Sequence, residues 1–239
     1  MPTIRTAPNP PAGRPGRDET GGRISVRVPA MRPYERDPAA IYAASFATVR
    51  AEAALDRFPP DVAEIVVRVI HACGMVEVAD RMAFAADVAA RAADALRAGA
   101  PVYADCEMVA SGVTRRLLPP GVEVRCTLND PRVADLAEQG ATTRSAAAVD
   151  LWQTGGAVCA IGNAPTALFR LMERIDDGAP PPAAILAFPV GFVGAAESKA
   201  ELAARPRAPF LTLRGRRGGS AMASAAVNAA ALLAAGGVQ

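Results

Sequence analysis

Histidine occurs once in this 239-residue sequence, at position 71 of the stretch VRVIHACGM. Imidazole is the side chain best suited to give and take protons near neutral pH, so His71 is the first candidate for chemistry. The surrounding apolar residues recur at helical spacing and place His71 on the opposite side of a helix, beside Glu64, Val67 and Arg68. The histidine is therefore either solvated at a helix end, where the helix dipole favours it, or it faces a cleft or a second subunit as a proton donor.

Side chains that can bind metals suggest two alternatives to proton transfer by the histidine, a metal site and a thiol nucleophile. They belong to the stretches HAC and DCE and comprise His71, Cys73, Asp105, Cys106 and Glu107. No pair has the spacing of a zinc finger or of HExxH, and residues two apart on a helix point in different directions, so we expect no metal site. A thiol nucleophile paired with His71 has no motif behind it. The four cysteines form no CxxC pair and lie in apolar runs, which is typical of reduced, buried thiols in a cytosolic protein.

Arginine is the dominant cation, with 25 copies against a single lysine, Lys199. Its planar guanidinium pairs with carboxylates and phosphates through two hydrogen bonds. The stretch RGRRGGSAM (214–222) opens the last predicted helix, and TTRSAAA (142–148) places Arg144 beside hydroxyls at another helix start. Each is either an anion-binding loop or an ordinary helix start with solvated arginines. Two anion-binding loops at one rim would indicate a ligand with several negative groups.

The elements that position these residues alternate between strand and helix after residue 100. Three helices come first, at 36–58 with Asp37 as N-cap, at 60–74 ending at Gly74, and at about 85–98. The predicted strands are 101–106, 122–126, 157–161, 183–188 and 209–213, and the predicted helices between and after them are 107–113, 132–139, 145–152, 164–175, 195–204 and 220 to about 233. Asn163 can cap the helix at 164–175 or offer its amide to a ligand above the sheet. This order predicts an α/β domain with a mostly parallel, roughly five-stranded sheet flanked by helices, preceded by a helical segment. Ligands of such sheets bind outside the carboxyl ends of the strands.

Composition limits the domain organisation and the partners. Residues 1–30 are rich in Pro, Gly and Arg, which predicts a flexible tail ahead of one domain at 31–239. The net charge of +2 argues against a nucleic-acid partner. No apolar stretch is suited to span a bilayer and no signal peptide is evident, so we expect a soluble cytoplasmic protein with no membrane partner.

Eight collinear motifs resemble the precorrin-8X methylmutase (precorrin isomerase) family of cobalamin biosynthesis. They are SFATVRAEA (45–53), RVIHACGM (68–75), DCEMVASGVTR (105–115), TLNDP (127–131), TTRSAAA (142–148), IGNAPTALFRL (161–171), PVGFVGAAESK (189–199) and RGRRGGSAM (214–222). The resemblance implies an α/β parallel-sheet fold and an isomerase that moves a methyl group from C-11 to C-12, converting precorrin-8X into hydrogenobyrinate. On the cobalt-containing route, the substrate would be cobalt-precorrin-8.

The resemblance also implies roles for particular residues. The histidine of IHACG is the catalytic residue of the family, which makes His71 the general acid for a methyl shift that requires no metal, nucleophile or redox cofactor. The family forms homodimers with active sites at the subunit interface. By the resemblance or by charge complementarity, the residues expected to contact the corrinoid substrate are Ser45, Arg144, Thr114, Arg115, Arg216 and Ser220.

Two other functions compete with the isomerase. A non-catalytic tetrapyrrole carrier would use the same pocket, but it would not require the histidine in that motif. An enzyme acting on a phosphorylated or nucleotide ligand would use the 214–220 loop. The absence of GKS, GKT and GxGxxG from the sequence argues against this second alternative.

Overall fold

A computed structural model describes residues 34–237, so the predicted tail at 1–30 lies outside the described residues. The chain divides into a unit of residues 1–36 and a compact unit of residues 37–239. All of the described helices and strands belong to the second unit. Within residues 34–237, no helix combines the length and the hydrophobicity that crossing a bilayer requires.

The helices and strands of the second unit follow the predicted order, with one additional strand at Met82–Phe84. The helices are α1 (Pro38–Glu52), α2 (Pro60–Cys73), α3 (Val88–Arg97), α4 (Glu107–Gly112), α5 (Arg132–Gln139), α6 (Arg144–Val149), α7 (Pro165–Asp176), α8 (Ala195–Ala204) and α9 (Ser220–Ala234). The strands are β1 (Met82–Phe84), β2 (Val102–Ala104), β3 (Val124–Cys126), β4 (Val158–Ile161), β5 (Ala184–Ala187) and β6 (Phe210–Leu213). Short 3₁₀ turns lie at Val76–Arg81 and Arg115–Leu117.

The strands form one sheet in the order β1-β6-β5-β4-β2-β3. Strands β2 to β6 pair in parallel, whereas β1 runs antiparallel to β6 at one edge, with Met82 opposite Leu213. The predicted α/β architecture and mostly parallel sheet are confirmed, and the sheet has one strand more than the sequence pattern indicated. The additional strand is β1, a short edge strand whose three residues include no β-branched side chain to mark it in the sequence.

Helices cover both faces of the sheet. The alternate residues of β4 and β5 divide between two cores: Val158 and Leu186 belong to the core beneath α2, α3 and α9, while Cys159 and Ile185 belong to the core beneath α7 and α8. All residues of β4 and β5 are buried, as expected for central parallel strands covered on both faces.

Helix α1 begins as predicted and ends earlier. The Asp37 side chain accepts a hydrogen bond from the Ala39 N–H at 3.0 Å, which confirms the N-cap. The helix ends at Glu52, because the following segment turns inward and buries Phe58 in the core. Only Val49 is buried among the fifteen residues of α1. This helix therefore lies on the surface of the domain.

A buried carboxylate, rather than the predicted Asn163, satisfies the start of α7. The Asp105 side chain follows β2 and accepts hydrogen bonds from the N–H groups of Gly162, Asn163 and Ala164 at 2.8–2.9 Å. Asn163 makes no side-chain cap, and its prediction as the cap is wrong. The neighbouring strand brings a carboxylate to this loop, and a carboxylate accepts several N–H groups at once. Burial raises the pKa of Asp105, while the three hydrogen bonds oppose that rise.

Candidate active site

Helix α1 packs antiparallel across the face of α2 that carries the histidine. Three contacts, spaced by roughly one turn along α2, link the two helices: Ser45 with His71, Phe46 with Arg68, and Arg50 with Glu64. Helix α1 covers one side of His71, but the imidazole itself stays exposed, whereas Val67, predicted to share its face, is buried in the core. The histidine therefore lies at the edge of the contact between α1 and α2, open to solvent.

The imidazole of His71 is held by one hydrogen bond and two aromatic rings. The Ser45 Oγ lies 2.7 Å from Nδ1. The ring centroids of Tyr42 and Phe46 lie 5.6 Å and 5.1 Å from that of His71, and the Phe46 ring meets it edge-on. Because Ser45 occupies Nδ1, the nitrogen left for a ligand is Nε2. When the imidazole is protonated, Nδ1–H donates to Ser45 and Nε2 carries the proton that can be transferred.

His71 opens onto a cavity of about 680 Å³, within the range of roughly 300–1,000 Å³ that small-molecule sites occupy. Residues of α1, α2, α9 and the segment 114–117 line it: Ala39, Tyr42, Ala43, Phe46, Arg68, His71, Ala72, Thr114, Arg116, Leu117, Ala221, Ser224, Ala225, Asn228 and Leu232. The apolar members are mostly alanines, which leave flat walls. No described lining residue is an aspartate or glutamate, so the charged side chains of this wall are cationic.

One wall of the cavity is fastened to α9 by Asn228. The Asn228 Oδ1 accepts the Thr114 N–H at 2.8 Å, and its Nδ2 donates to the Gly112 carbonyl at 3.0 Å. Both partners flank Val113, which is buried. The asparagine thus holds the chain where α4 ends, at the point where Thr114 enters the cavity wall.

The structure brings only some of the predicted site residues together. His71 and Thr114 line the cavity, and Ser45 is next to it through its hydrogen bond to His71, whereas the other four predicted residues do not line it within one chain. The Arg144 guanidinium donates to the Leu128 carbonyl at 3.1 Å, and the Arg216 guanidinium lies 5.5 Å from the centroid of the Phe192 ring. The catalytic role of His71 and the substrate contacts of all six other residues stay predictions.

Of these four, Arg115 is exposed and Ser220 is buried at the start of α9. The Ser220 Oγ lies 3.6 Å from the Cys106 Sγ. The helix start at Ser220 therefore packs against the loop after β2, and its hydroxyl points toward a buried thiol.

Hydrogen bonds and an ion pair hold the glycine-rich loop 214–219 to other parts of the protein. The Gly219 N–H donates to the Phe188 carbonyl at 2.8 Å, and the Arg217 guanidinium pairs with Glu77 at 2.6 Å. The Arg217 carbonyl accepts a hydrogen bond from the Nζ of Lys199, which is fully buried in α8. Burial lowers the pKa of Lys199 to about 8. Much of the hydrogen bonding of this loop is therefore structural.

The sulfur and carboxylate groups show no metal-binding arrangement within residues 34–237. No three His, Cys, Asp or Glu side chains of that range converge as metal ligands would. All four cysteines are free thiols, but Cys73 and Cys126 are only half-buried, so the prediction of full burial is wrong for these two. Burial raises the pKa of Cys73 and raises that of Cys126 to about 11, so neither is activated as a thiolate.

Sequence reasoning missed four residues at this site: Tyr42, Phe46, Arg116 and Asn228. The aromatic pair lies at i and i+4 on α1, so both rings share the face that carries Ser45. Their spacing in the sequence was enough to indicate this. Arg116 differs from its neighbour Arg115 only in the direction that the 3₁₀ turn imposes. Asn228 lies in an alanine-rich helix, and only the tertiary structure connects it to Gly112.

Comparison with known proteins identifies similar chains. A family model described as precorrin-8X methylmutase matches residues 40–233. The precorrin-8X methylmutase of Sinorhizobium sp is 57% identical over 201 residues, covering 83% of this chain and 96% of that protein. The cobalt-precorrin-8 methylmutase of Salmonella typhimurium is 42% identical over 169 residues, covering 69% and 78%. A solved structure described as the precorrin-8X methyl mutase of Thermus thermophilus has a TM-score of 0.75 at 38% identity, covering 84% and 98%.

Proposed function

The chain belongs to the precorrin-8X methylmutase family, and from that premise we propose that the cavity at His71 is where it moves the methyl group of its substrate. The family's activity makes this enzyme an isomerase. The proposed location of the active site rests on the Ser45–His71 pair. This pair opens onto a cavity that has cationic side chains and no acid among its described lining residues.

The chemistry needs a proton and a fixed orientation. Migration breaks the bond between the methyl carbon and C-11 and forms one to C-12, so no atom or electron leaves the molecule. Protonation of a ring nitrogen or carbon by Nε2 of His71 draws electron density from the macrocycle and lowers the barrier, and the proton returns to the imidazole when the product tautomer forms. Ser45 fixes which nitrogen carries that proton.

The walls of the cavity suit a flat polycarboxylate. Ala221 and Ala225 on α9 and Ala43 on α1 allow a planar ring to approach the helices closely. The guanidinium groups of Arg68 and Arg116 offer donors to the carboxylates at the ring's edge. These features favour a corrinoid over a nucleotide.

We propose in addition that the active enzyme is a homodimer with α1 at the interface. Two large apolar residues of this helix, Ile41 and Tyr42, are 46% and 54% exposed beside the cavity mouth. A second copy that covers them would remove apolar surface from water and close the site. Light scattering after size exclusion is expected to give twice the chain mass, and a monomeric mass under active conditions would contradict the dimer.

The cobalt-free substrate precorrin-8X is the proposed natural one, because the relative of that name is 57% identical against 42% for the cobalt-route relative. We also propose a cytoplasmic location, from the biosynthetic role of the family. Parallel assays with precorrin-8X and cobalt-precorrin-8 are expected to give a higher kcat/KM for the former. A preference for the cobalt compound would reverse this assignment.

The decisive experiment follows the visible spectrum of purified protein with precorrin-8X. We expect multiple turnovers to hydrogenobyrinate, and no conversion by protein that binds the compound would leave a tetrapyrrole carrier as the function. The His71→Ala variant is expected to keep corrinoid binding and lose turnover. Wild-type turnover in this variant would remove His71 from the mechanism.

A further inference from the structure

Arg116 belongs to a wall that is built independently of the Ser45–His71 pair. The segment after α4 is held by Asn228 at Gly112 and Thr114, and it then closes a 3₁₀ turn in which the Leu117 N–H donates to the Thr114 carbonyl at 2.9 Å. These three hydrogen bonds fix the backbone on both sides of Arg116. A guanidinium on a fixed backbone loses less freedom on binding than one on a mobile loop.

The charge at Arg116 is not used inside the described protein. Arg68, the other arginine of the cavity, lies with its guanidinium 4.9 Å from the centroid of the Phe46 ring. By contrast, Arg116 makes no hydrogen bond or ion pair with any other residue of the range 34–237, and its side chain is exposed to the cavity. Its five N–H donors are available to a ligand.

The direction of the side chain distinguishes Arg116 from its neighbour. A 3₁₀ helix has three residues per turn, so successive side chains point about 120° apart. Arg116 lines the cavity, and Arg115 does not. The two arginines therefore have the same charge and nearly the same backbone, and they differ in access to the site.

We infer that Arg116 binds a peripheral carboxylate of the substrate through its guanidinium, and that Asn228 is the positioning residue that holds this wall. The inference rests on the proposed function, which supplies a ligand with carboxylates at its edge. The planar fork matches one carboxylate with two parallel hydrogen bonds, so Arg116 fixes the rotation of the macrocycle in its plane and thereby the carbon that faces His71.

The test compares one substitution at three exposed arginines. Arg116→Gln removes the charge and the fork, Arg115→Gln does the same next to the cavity, and Arg91→Gln does it on α3, away from the lining residues. For each variant, KM and kcat are measured with precorrin-8X, and the Kd of hydrogenobyrinate is measured at two ionic strengths.

We expect Arg116→Gln to raise KM and Kd by about 10- to 100-fold, since a charge-assisted pair contributes about 1.5–3 kcal/mol. Its Kd should depend less on salt than that of the wild type, and Arg91→Gln should match the wild type. Asn228→Leu removes the hydrogen bonds to the Thr114 N–H and the Gly112 carbonyl and should also raise KM. Asn228→Asp keeps the bond to the Thr114 N–H and should raise KM less.

The outcomes separate the inference from the proposed function. Active wild type with an unchanged Kd in Arg116→Gln, or with the loss in Arg115→Gln instead, overturns the assignment to Arg116. Wild type that binds hydrogenobyrinate without turning over precorrin-8X refutes the proposed function, and the binding arm still decides on Arg116. Wild type that neither binds nor converts the corrinoids overturns both.

Discussion

The single lysine of the chain offers a direct measurement of what burial does to a charge. Lys199 is fully buried in α8, its Nζ donates to the Arg217 carbonyl, and burial lowers its pKa from 10.5 to about 8. We consider Lys199→Met, which keeps an unbranched side chain of similar length and removes the amine.

The magnitude follows from the shift in pKa. A difference of about 2.5 pKa units between folded and unfolded chains corresponds to about 3 kcal/mol of stability. Below pH 8 the wild type holds a buried charged amine and carries this cost in full. Between pH 8 and 10.5 the unfolded chain binds the proton more tightly than the folded chain does, so the stability of the wild type rises with pH. The variant lacks this rise.

A second, pH-independent effect has the opposite sign. The variant leaves the Arg217 carbonyl without the lysine donor, which costs about 1–3 kcal/mol if no water replaces it. We therefore expect Lys199→Met to be as stable as the wild type or more stable at pH 7, and less stable at pH 10.5. The difference in unfolding free energy between the two proteins should change by about 3 kcal/mol between pH 7 and pH 10.5. The lost hydrogen bond shifts this difference equally at every pH and leaves its change unaffected.

The assay is urea unfolding of both proteins at pH steps from 7 to 10.5. Any other group that titrates in this range is common to both chains and cancels in the difference. A ¹³C-lysine NMR titration supplies a control, because the chain has one lysine and so gives one resonance from it. A difference in unfolding free energy that stays constant with pH, or a lysine resonance titrating near 10.5, would refute the reasoning.

Three further substitutions test contacts described above. Ser45→Ala removes the 2.7 Å bond to His71 and should lower kcat about tenfold through lost orientation, with little change in Kd; an unchanged kcat would show that the imidazole needs no such partner. Asp105→Ala leaves three N–H groups unpaired, two of them buried, and should cost about 3 kcal/mol, or about 6–12 °C in calorimetric Tm, and a drop under 2 °C would contradict the cap. Gly162→Ala places a Cβ 2.8 Å from the Ser220 Cα and should lower the free energy of urea unfolding by about 1–3 kcal/mol, whereas an unaltered midpoint would mean that α9 can move away.

Local signals predicted most of the fold. Asp37 and Gly74 mark helix ends by chemistry that acts within a few residues: Asp37 caps α1 through its side chain, and Gly74 adopts a left-handed conformation after α2. Where a distant partner decides, the same reasoning failed. The end of α1 depends on the burial of Phe58, and the start of α7 depends on Asp105 from a different strand.

The residues of the candidate site likewise divide into those that the sequence could predict and those that it could not. His71 and Ser45 could be predicted because each lies in a family motif, and their meeting at 2.7 Å required the packing of α1 on α2. Arg116 and Asn228 could not, because periodicity does not tell which of two adjacent arginines enters a cavity or which asparagine reaches a carbonyl 116 positions away. A sequence pattern indicates which chemistry a residue can perform, whereas the tertiary structure sets the direction in which its side chain points.

The shallow anchoring of α1 has a consequence for how the enzyme loses activity. The hydrogen bond and both ring contacts of His71 come from a helix that buries one residue, so this helix can detach at a lower free energy than the sheet and α9 can unfold. Heat or denaturant would then switch off catalysis before any change in the secondary-structure signal of the core. Amide hydrogen exchange should be faster in α1 than in α9, and the temperature of inactivation should rise with protein concentration if a second copy holds α1 in place.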